Sequence, residues 1–217
     1  MPKTVHLPSI ALILDMDGVL ADTEPLHVRA WDIALAGIDS RTLEHERGHL
    51  AGMSSADIAR ELLRIFRLPL SVDELVERKR GVFRGLIESG LAPFAGLLDE
   101  LRLWRQGPLA LATSSARSET ARMLTGLGFE GWFDPVVTSD DVARAKPAPD
   151  CYALAIQRLG RRPADCVVIE DTVHGIRAAQ GAGAGVAAVA TSGLPRDVDG
   201  VLGVFDSTVE ALQWLRR

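Results

Sequence analysis

Six short apolar runs punctuate the chain: SIALIL at 9–14, PLALAT at 108–113, PVVTS at 135–139, CVVIE at 166–170, GVAAVAT at 185–191 and VLGVF at 201–205. Runs of this length without polar alternation predict strands buried on both faces. Between most of them the period becomes helical. Residues 116–127 repeat Ala121, Leu124 and Leu127, and further helical patterns cover 150–159 and 173–180. Strands alternating with helices predict right-handed crossovers and a mainly parallel sheet with helices on both faces.

The alternation stops between Asp22 and about Gly90, where only helical patterns occur. One is apolar at Leu26, Ala30, Ile33 and Ala34. A second has Ser55 as its expected N-cap and a stripe of Ile58, Leu62 and Phe66. A third opens with Ser71 and Glu74, spaced as a capping box. The expected architecture is α/β, a Rossmann-like core with an inserted all-helical cap domain. The core covers 1–21 and 91–217 and the cap 22–90, with linkers near Ala21–Glu24 and in the Gly90, Pro93, Gly96 cluster.

Composition changes this picture little. The 217 residues are 47% hydrophobic and 24% charged, an ordinary globular balance. A net charge of −5 offers no broad attraction to nucleic acid or an anionic membrane. The N-terminal residues lack a signal-peptide layout, and the run Ile10–Leu14 is too short to span a bilayer. The expectation is a cytoplasmic monomer with buried free thiols at Cys151 and Cys166.

Candidate chemistry lies where the runs end. Asp15, Thr113 and the pair Glu170–Asp171 each terminate one, and ligands of a parallel sheet bind beyond the carboxyl ends of its strands. Asp15, Asp17 and Asp171 in one crevice cannot all stay ionised without a cation. All-oxygen ligation points to Mg²⁺ shared with a substrate phosphate. Lys146, which Pro147 and Pro149 are expected to place on an extended backbone just before a helix start, is the expected point charge for a phosphate oxygen. Thr113, Ser114 and Ser115 precede a helix and offer hydroxyls and amides to an anion. Gly18 allows a sharp turn after Asp17 and close approach to a ligand.

DMDGVLADTE resembles the first motif of the haloacid dehalogenase superfamily. Thr113 in LATSS is similar to its second motif, Lys146 in KPAPD to its third and IEDTVHGIRAAQGAG to its fourth, in family order. The resemblance implies an Asp15 nucleophile and an aspartyl-phosphate. It implies that Asp17 protonates the leaving oxygen and then activates water. It also implies that Mg²⁺ binds Asp15, the Asp17 carbonyl and Asp171, with Glu170 nearby, and that Thr113 and Lys146 hold the phosphoryl oxygens.

DTEPLHVRAW and RKR resemble the β-phosphoglucomutase and sugar-phosphatase branch, which brings in His27 and Lys79 as cap residues facing Asp17 or substrate. Lys79 also sits among apolar neighbours at helical spacing, a cation on an inward stripe. The mutase match is incomplete. Ser55 stands where its cap arginine aligns, and Ala116–Arg117 replace its Lys–Asn pair. The expected function is therefore hydrolysis of a small phosphorylated metabolite, a sugar phosphate above all. A phosphosugar mutase is the alternative. HERGH at 45–49 fits H-E-x-x-H and gives a remote alternative, a zinc metalloprotease, but the third ligand position holds Ser55.

Overall fold

The computed structural model describes residues 10–35, 53–88, 90–104 and 107–217. HERGH lies outside the described residues. Six parallel strands form one sheet: β1 Ala11–Leu14, β2 Leu109–Ala112, β3 Val136–Val137, β4 Cys166–Glu170, β5 Gly185–Val189 and β6 Gly203–Phe205. Their order is β3-β2-β1-β4-β5-β6. The chain moves outward from β1 to β3, then returns to start β4 on the other side of β1. A crevice opens where the direction reverses, at the ends of β1 and β4. The ladder continues past β1, with the Asp15 amide donating to the Ile169 carbonyl at 3.1 Å.

Both faces of the sheet are covered. Along β1, Leu12 and Leu14 enter one core and Ala11 and Ile13 the other, because strand side chains alternate. The first core is closed by α4 (Leu97–Trp104), α5 (Arg117–Gly126) and α8 (Thr208–Leu215). The second is closed by α6 (Asp150–Leu159) and α7 (Val173–Gly181), whose Ala155, Ala178 and Ala179 share a cluster with Ala110, Ala112 and Ala188 of the strands. Small residues on both sides let these helices approach closely. α4 and α8, two helices that the sequence pattern did not predict, complete the covering on the first face beside the predicted α5.

Between β1 and β2 stand three helices: α1 Glu24–Ala34, α2 Ser55–Phe66 and α3 Val72–Glu88. Trp31, Leu35, Ala59, Leu62, Leu75 and Val76 give them a core of their own. Phe83 and Ile87 of α3 and Ala30 of α1 join the sheet's first core, so the helical segment is anchored to the sheet layer. The N-cap of α2 is Ser54, one residue before the expected Ser55: its hydroxyl accepts from the Asp57 amide at 3.2 Å. The Ser71–Glu74 capping box is formed in both directions, at 2.7 and 3.2 Å. Residues 146–149 turn, closed by the Ala148 amide on the Ala145 carbonyl at 2.9 Å, where an extended backbone was expected. Cys151 and Cys166 are buried and free. Among the described residues no helix is long and apolar enough to cross a membrane.

Gly175, on the first turn of α7, has no room for a side chain: a Cβ there would collide with the Glu170 carboxylate. Gly175→Ala is expected to cost about 1–3 kcal/mol, several degrees of melting temperature. Gly85 on α3 has open space around it, so Gly85→Ala should stabilise by about 0.5–1 kcal/mol. Thermal melts of the two variants check this; shifts of the same sign would contradict the packing described.

Candidate active site

Asp15 follows β1 and Glu170 ends β4, so adjacent strands deliver two carboxylates side by side. Lys146 reaches both from the loop before α6. Its Nζ donates to Asp15 Oδ1 at 2.9 Å, to Glu170 Oε1 at 2.8 Å and to the Tyr152 hydroxyl at 2.9 Å. Tyr152 in turn donates to Glu170 Oε1 at 3.0 Å. Burial drives Asp15 up to about 7, with Lys146 opposing and Glu170 and Asp17 adding to the rise. Burial works against the Lys146 charge, yet Asp15 and Glu170 raise its pKa well above the ordinary lysine value.

Glu170 is saturated. Its second oxygen accepts from the amides of Asp171 and Thr172, at 2.7 and 2.8 Å, and from the Thr172 hydroxyl at 3.1 Å. A carboxylate offers about four lone-pair positions, and five donors already occupy this one. Despite its burial, these bonds and Lys146 hold Glu170 below the usual carboxylate range. The geometry makes it the anchor of Lys146.

Asp171 is different. Ser192 donates to its Oδ2, while the buried Oδ1 has no hydrogen-bond partner. Burial, then Glu170 and Asp15, push its pKa far above the ordinary value. Ligand oxygens of Asp15, Glu170 and Asp171 lie within 4.8 Å of one another. An orphaned buried oxygen beside a second carboxylate fits a hard divalent cation with oxygen ligands, and Mg²⁺ suits that donor set. Gly18, at φ +71°, clears this space; a Cβ would strike the Asp171 carboxylate.

The Asp17 side chain turns away from that cluster, toward the helical segment. Its Oδ1 accepts from Thr23 at 2.6 Å and lies 3.0 Å from His27 Nε2, while Oδ2 accepts from Ser115 at 3.1 Å. Burial opposes ionisation, but His27 and the hydroxyls hold Asp17 well below the carboxylate range. Its carboxylate is therefore not among the clustered acids that could hold a metal ion. Thr113 is buried and accepts from the Ser115 amide at 3.0 Å.

A cavity of about 110 Å³ lies between this centre and the helical segment. Asp15, Asp17, Gly18, Ser114, Ser115 and Asp171 form its floor, and His27 and Ser55 reach it from the helices. Lys79 does not line it. Expected to face a substrate, Lys79 is fully buried, 4.2 Å from the Phe83 ring centre and 3.8 Å from Glu119 of α5. Burial lowers its pKa, with Glu119 opposing. The anion it faces belongs to the protein. His27 stacks on the other partner in this layer, Phe83, at 4.1 Å.

The sequence reading missed Tyr152, Thr23, Ser192 and Glu119. Tyr152 had a signal: it is the chain's one tyrosine, on the inward stripe of α6 just after the Lys146 loop. Ser192 follows the end of β5, where the strand-end rule also applies. Glu119 gave none, since its partner Lys79 comes from a distant segment, and Thr23 gave none although it follows Asp17 by only six residues.

The haloacid dehalogenase-like hydrolase family matches residues 11–183. The chain is 35% identical over 173 residues to a fructose-1-phosphate phosphatase, YqaB, of Escherichia coli, covering 79% of this chain and 92% of that protein. It is 32% identical over 179 residues to a phosphorylated carbohydrates phosphatase of Thermotoga maritima, covering 80% and 81%. The crystal structure of CbbY from Rhodobacter sphaeroides in complex with phosphate superimposes with a TM-score of 0.83 at 27% identity, covering 95% of this chain and 99% of that one. With the four sequence motifs gathered at one sheet edge and the family match spanning most of the length, the chain belongs to the haloacid dehalogenase-like hydrolases, among their phosphatases.

Proposed function

We propose that this protein is a Mg²⁺-dependent phosphatase that hydrolyses a small sugar phosphate through an aspartyl-phosphate on Asp15. One observation carries the reading. Asp15 sits at the switch point of the sheet, held by Lys146 at 2.9 Å and next to the orphaned oxygen of Asp171. The relatives named as sugar phosphatases support the substrate class.

Asp15 attacks phosphorus, and the bond from phosphorus to the ester oxygen breaks. Lys146 and the Thr113–Ser115 segment hold phosphoryl oxygens as charge shifts. Asp17, kept ionised by Thr23, His27 and Ser115, is in the form that takes a proton from the attacking water. Water bonds to phosphorus as the bond from phosphorus to Asp15 breaks, which frees phosphate and restores the carboxylate, and the proton held on Asp17 passes to the leaving oxygen of the next substrate. His27 orients Asp17, and Lys79 acts at a distance by fixing α3 on Glu119. The helices within 22–90 serve as a cap over the core formed by 1–21 and 91–217. Asp15 and Asp171 would hold Mg²⁺, which when bound neutralises carboxylates and phosphoryl oxygens together. The mutase alternative is not favoured: Ser55 lines the cavity, and no Lys or Arg does so among the described residues.

Asp15→Asn keeps the shape of the side chain and removes the nucleophile. Phosphate release should fall by about 10³-fold or more while the melting temperature stays near that of the parent. Residual turnover within tenfold of the parent would remove Asp15 from the reaction.

Metal and pH are linked through the same carboxylates. The Asp15 pKa rises from 3.8 unfolded to about 7 folded, so the native state binds the extra proton between those values. Stability of the metal-free protein should therefore fall as pH rises through that window. Mg²⁺ binds the deprotonated carboxylates, so its stabilisation should be larger at pH 8 than at pH 5. Melts with Mg²⁺ and with EDTA across this range check it. A metal-induced shift equal at both pH values would contradict the proposed ligands.

A further inference from the structure

The cavity above the reaction centre has a wall with its own chemistry. Glu24, Val28 and Asp32 recur every fourth residue on α1, so they share one helix face, and all three line the cavity. His27, beside them, lies 3.0 Å from Asp17 and sets the height of this helix over the reaction centre. Asp32 is five residues further on, about 7 Å along the axis at the standard helical rise. That is about the reach of a single sugar ring beyond the phosphoryl group.

Asp32 is half-buried, and no hydrogen bond or ion pair holds its carboxylate among the described residues. An ionised carboxylate only accepts, so in a filled cavity it needs donors from the bound molecule. No Lys or Arg lines this space among the described residues. A second phosphate or a carboxylate on the substrate would meet the Asp32 carboxylate, which is unfavourable at close range. Trp31, Met53 and Ile58 supply apolar surface alongside, suited to the C–H face of a sugar ring.

We infer that Asp32 is the specificity-determining residue of the leaving-group site, selecting an uncharged polyol by accepting hydrogen bonds from its hydroxyls and rejecting a second anionic group. This rests on the phosphatase reading above and deepens it.

The test measures kcat and KM with Mg²⁺ for the wild type, Asp32→Asn and Asp32→Lys. The substrates are fructose 1-phosphate, glucose 6-phosphate, glucosamine 6-phosphate, glucose 1,6-bisphosphate and p-nitrophenyl phosphate. The wild type should prefer a neutral sugar monophosphate to the bisphosphate. Asp32→Asn should lower the ratio of kcat/KM for that sugar to kcat/KM for p-nitrophenyl phosphate by about tenfold to a hundredfold, mainly through KM. Asp32→Lys should move preference toward the bisphosphate. An unmoved ratio in both variants, or a wild type that prefers the bisphosphate, overturns the inference while leaving the phosphatase reading in place. No phosphate release from any substrate would remove the phosphatase reading itself, and with it the inference.

Discussion

A buried ammonium among buried carboxylates governs this protein. Lys146 sits between Asp15 and Glu170 at 2.9 and 2.8 Å, with Asp171 close by. One positive charge faces three acids in a region shielded from water, where unpaired charge is costly. The fold manages this unevenly. Glu170 takes five hydrogen bonds and is fully compensated. Asp15 keeps one strong partner, and Asp171 is left with an oxygen that nothing in the described chain satisfies. The deficit is concentrated on the two groups that face the cavity. A hard cation and a phosphoryl group are the species that fit it.

The surroundings are shaped to preserve that imbalance. Gly18 and Gly175 lie against the Asp171 and Glu170 carboxylates, where any side chain would intrude. Tyr152 closes a triangle with Lys146 and Glu170, so the lysine cannot swing away without breaking several bonds. The parallel ladder between β1 and β4 sets the spacing of the acids, because both strands end at the same sheet edge.

The helical segment contributes in a second way. Thr23 and His27 draw the Asp17 carboxylate away from the acidic cluster, and Ser115 holds its other oxygen from the sheet side. Two aspartates two residues apart thereby acquire opposite environments. Burial leaves Asp15 titrating near 7, while donors keep Asp17 ionised. Environments that push neighbouring acids apart suit the two roles proposed for them, a nucleophile and a proton carrier. The segment is anchored through Phe83 and Ile87 in the sheet's core and through Lys79 against Glu119.

All six strands were legible from their apolar runs, since a strand buried on both faces must be apolar throughout. The strand-end rule then placed Asp15, Thr113 and Glu170–Asp171 at one edge, because a parallel sheet puts all its carboxyl ends together. Local signals also read correctly where both partners lie within one turn, as in the Ser71–Glu74 box. What the sequence could not decide was the partner of each buried charge. Lys79 on an inward stripe could face a substrate or another side chain, and only packing α3 on α5 brought Glu119 to it. Glu170 and Asp171 are adjacent in sequence and equally acidic. Tertiary contacts alone saturate the first and leave the second open, because a carboxylate's role depends on the donors that distant segments bring within 3 Å of it.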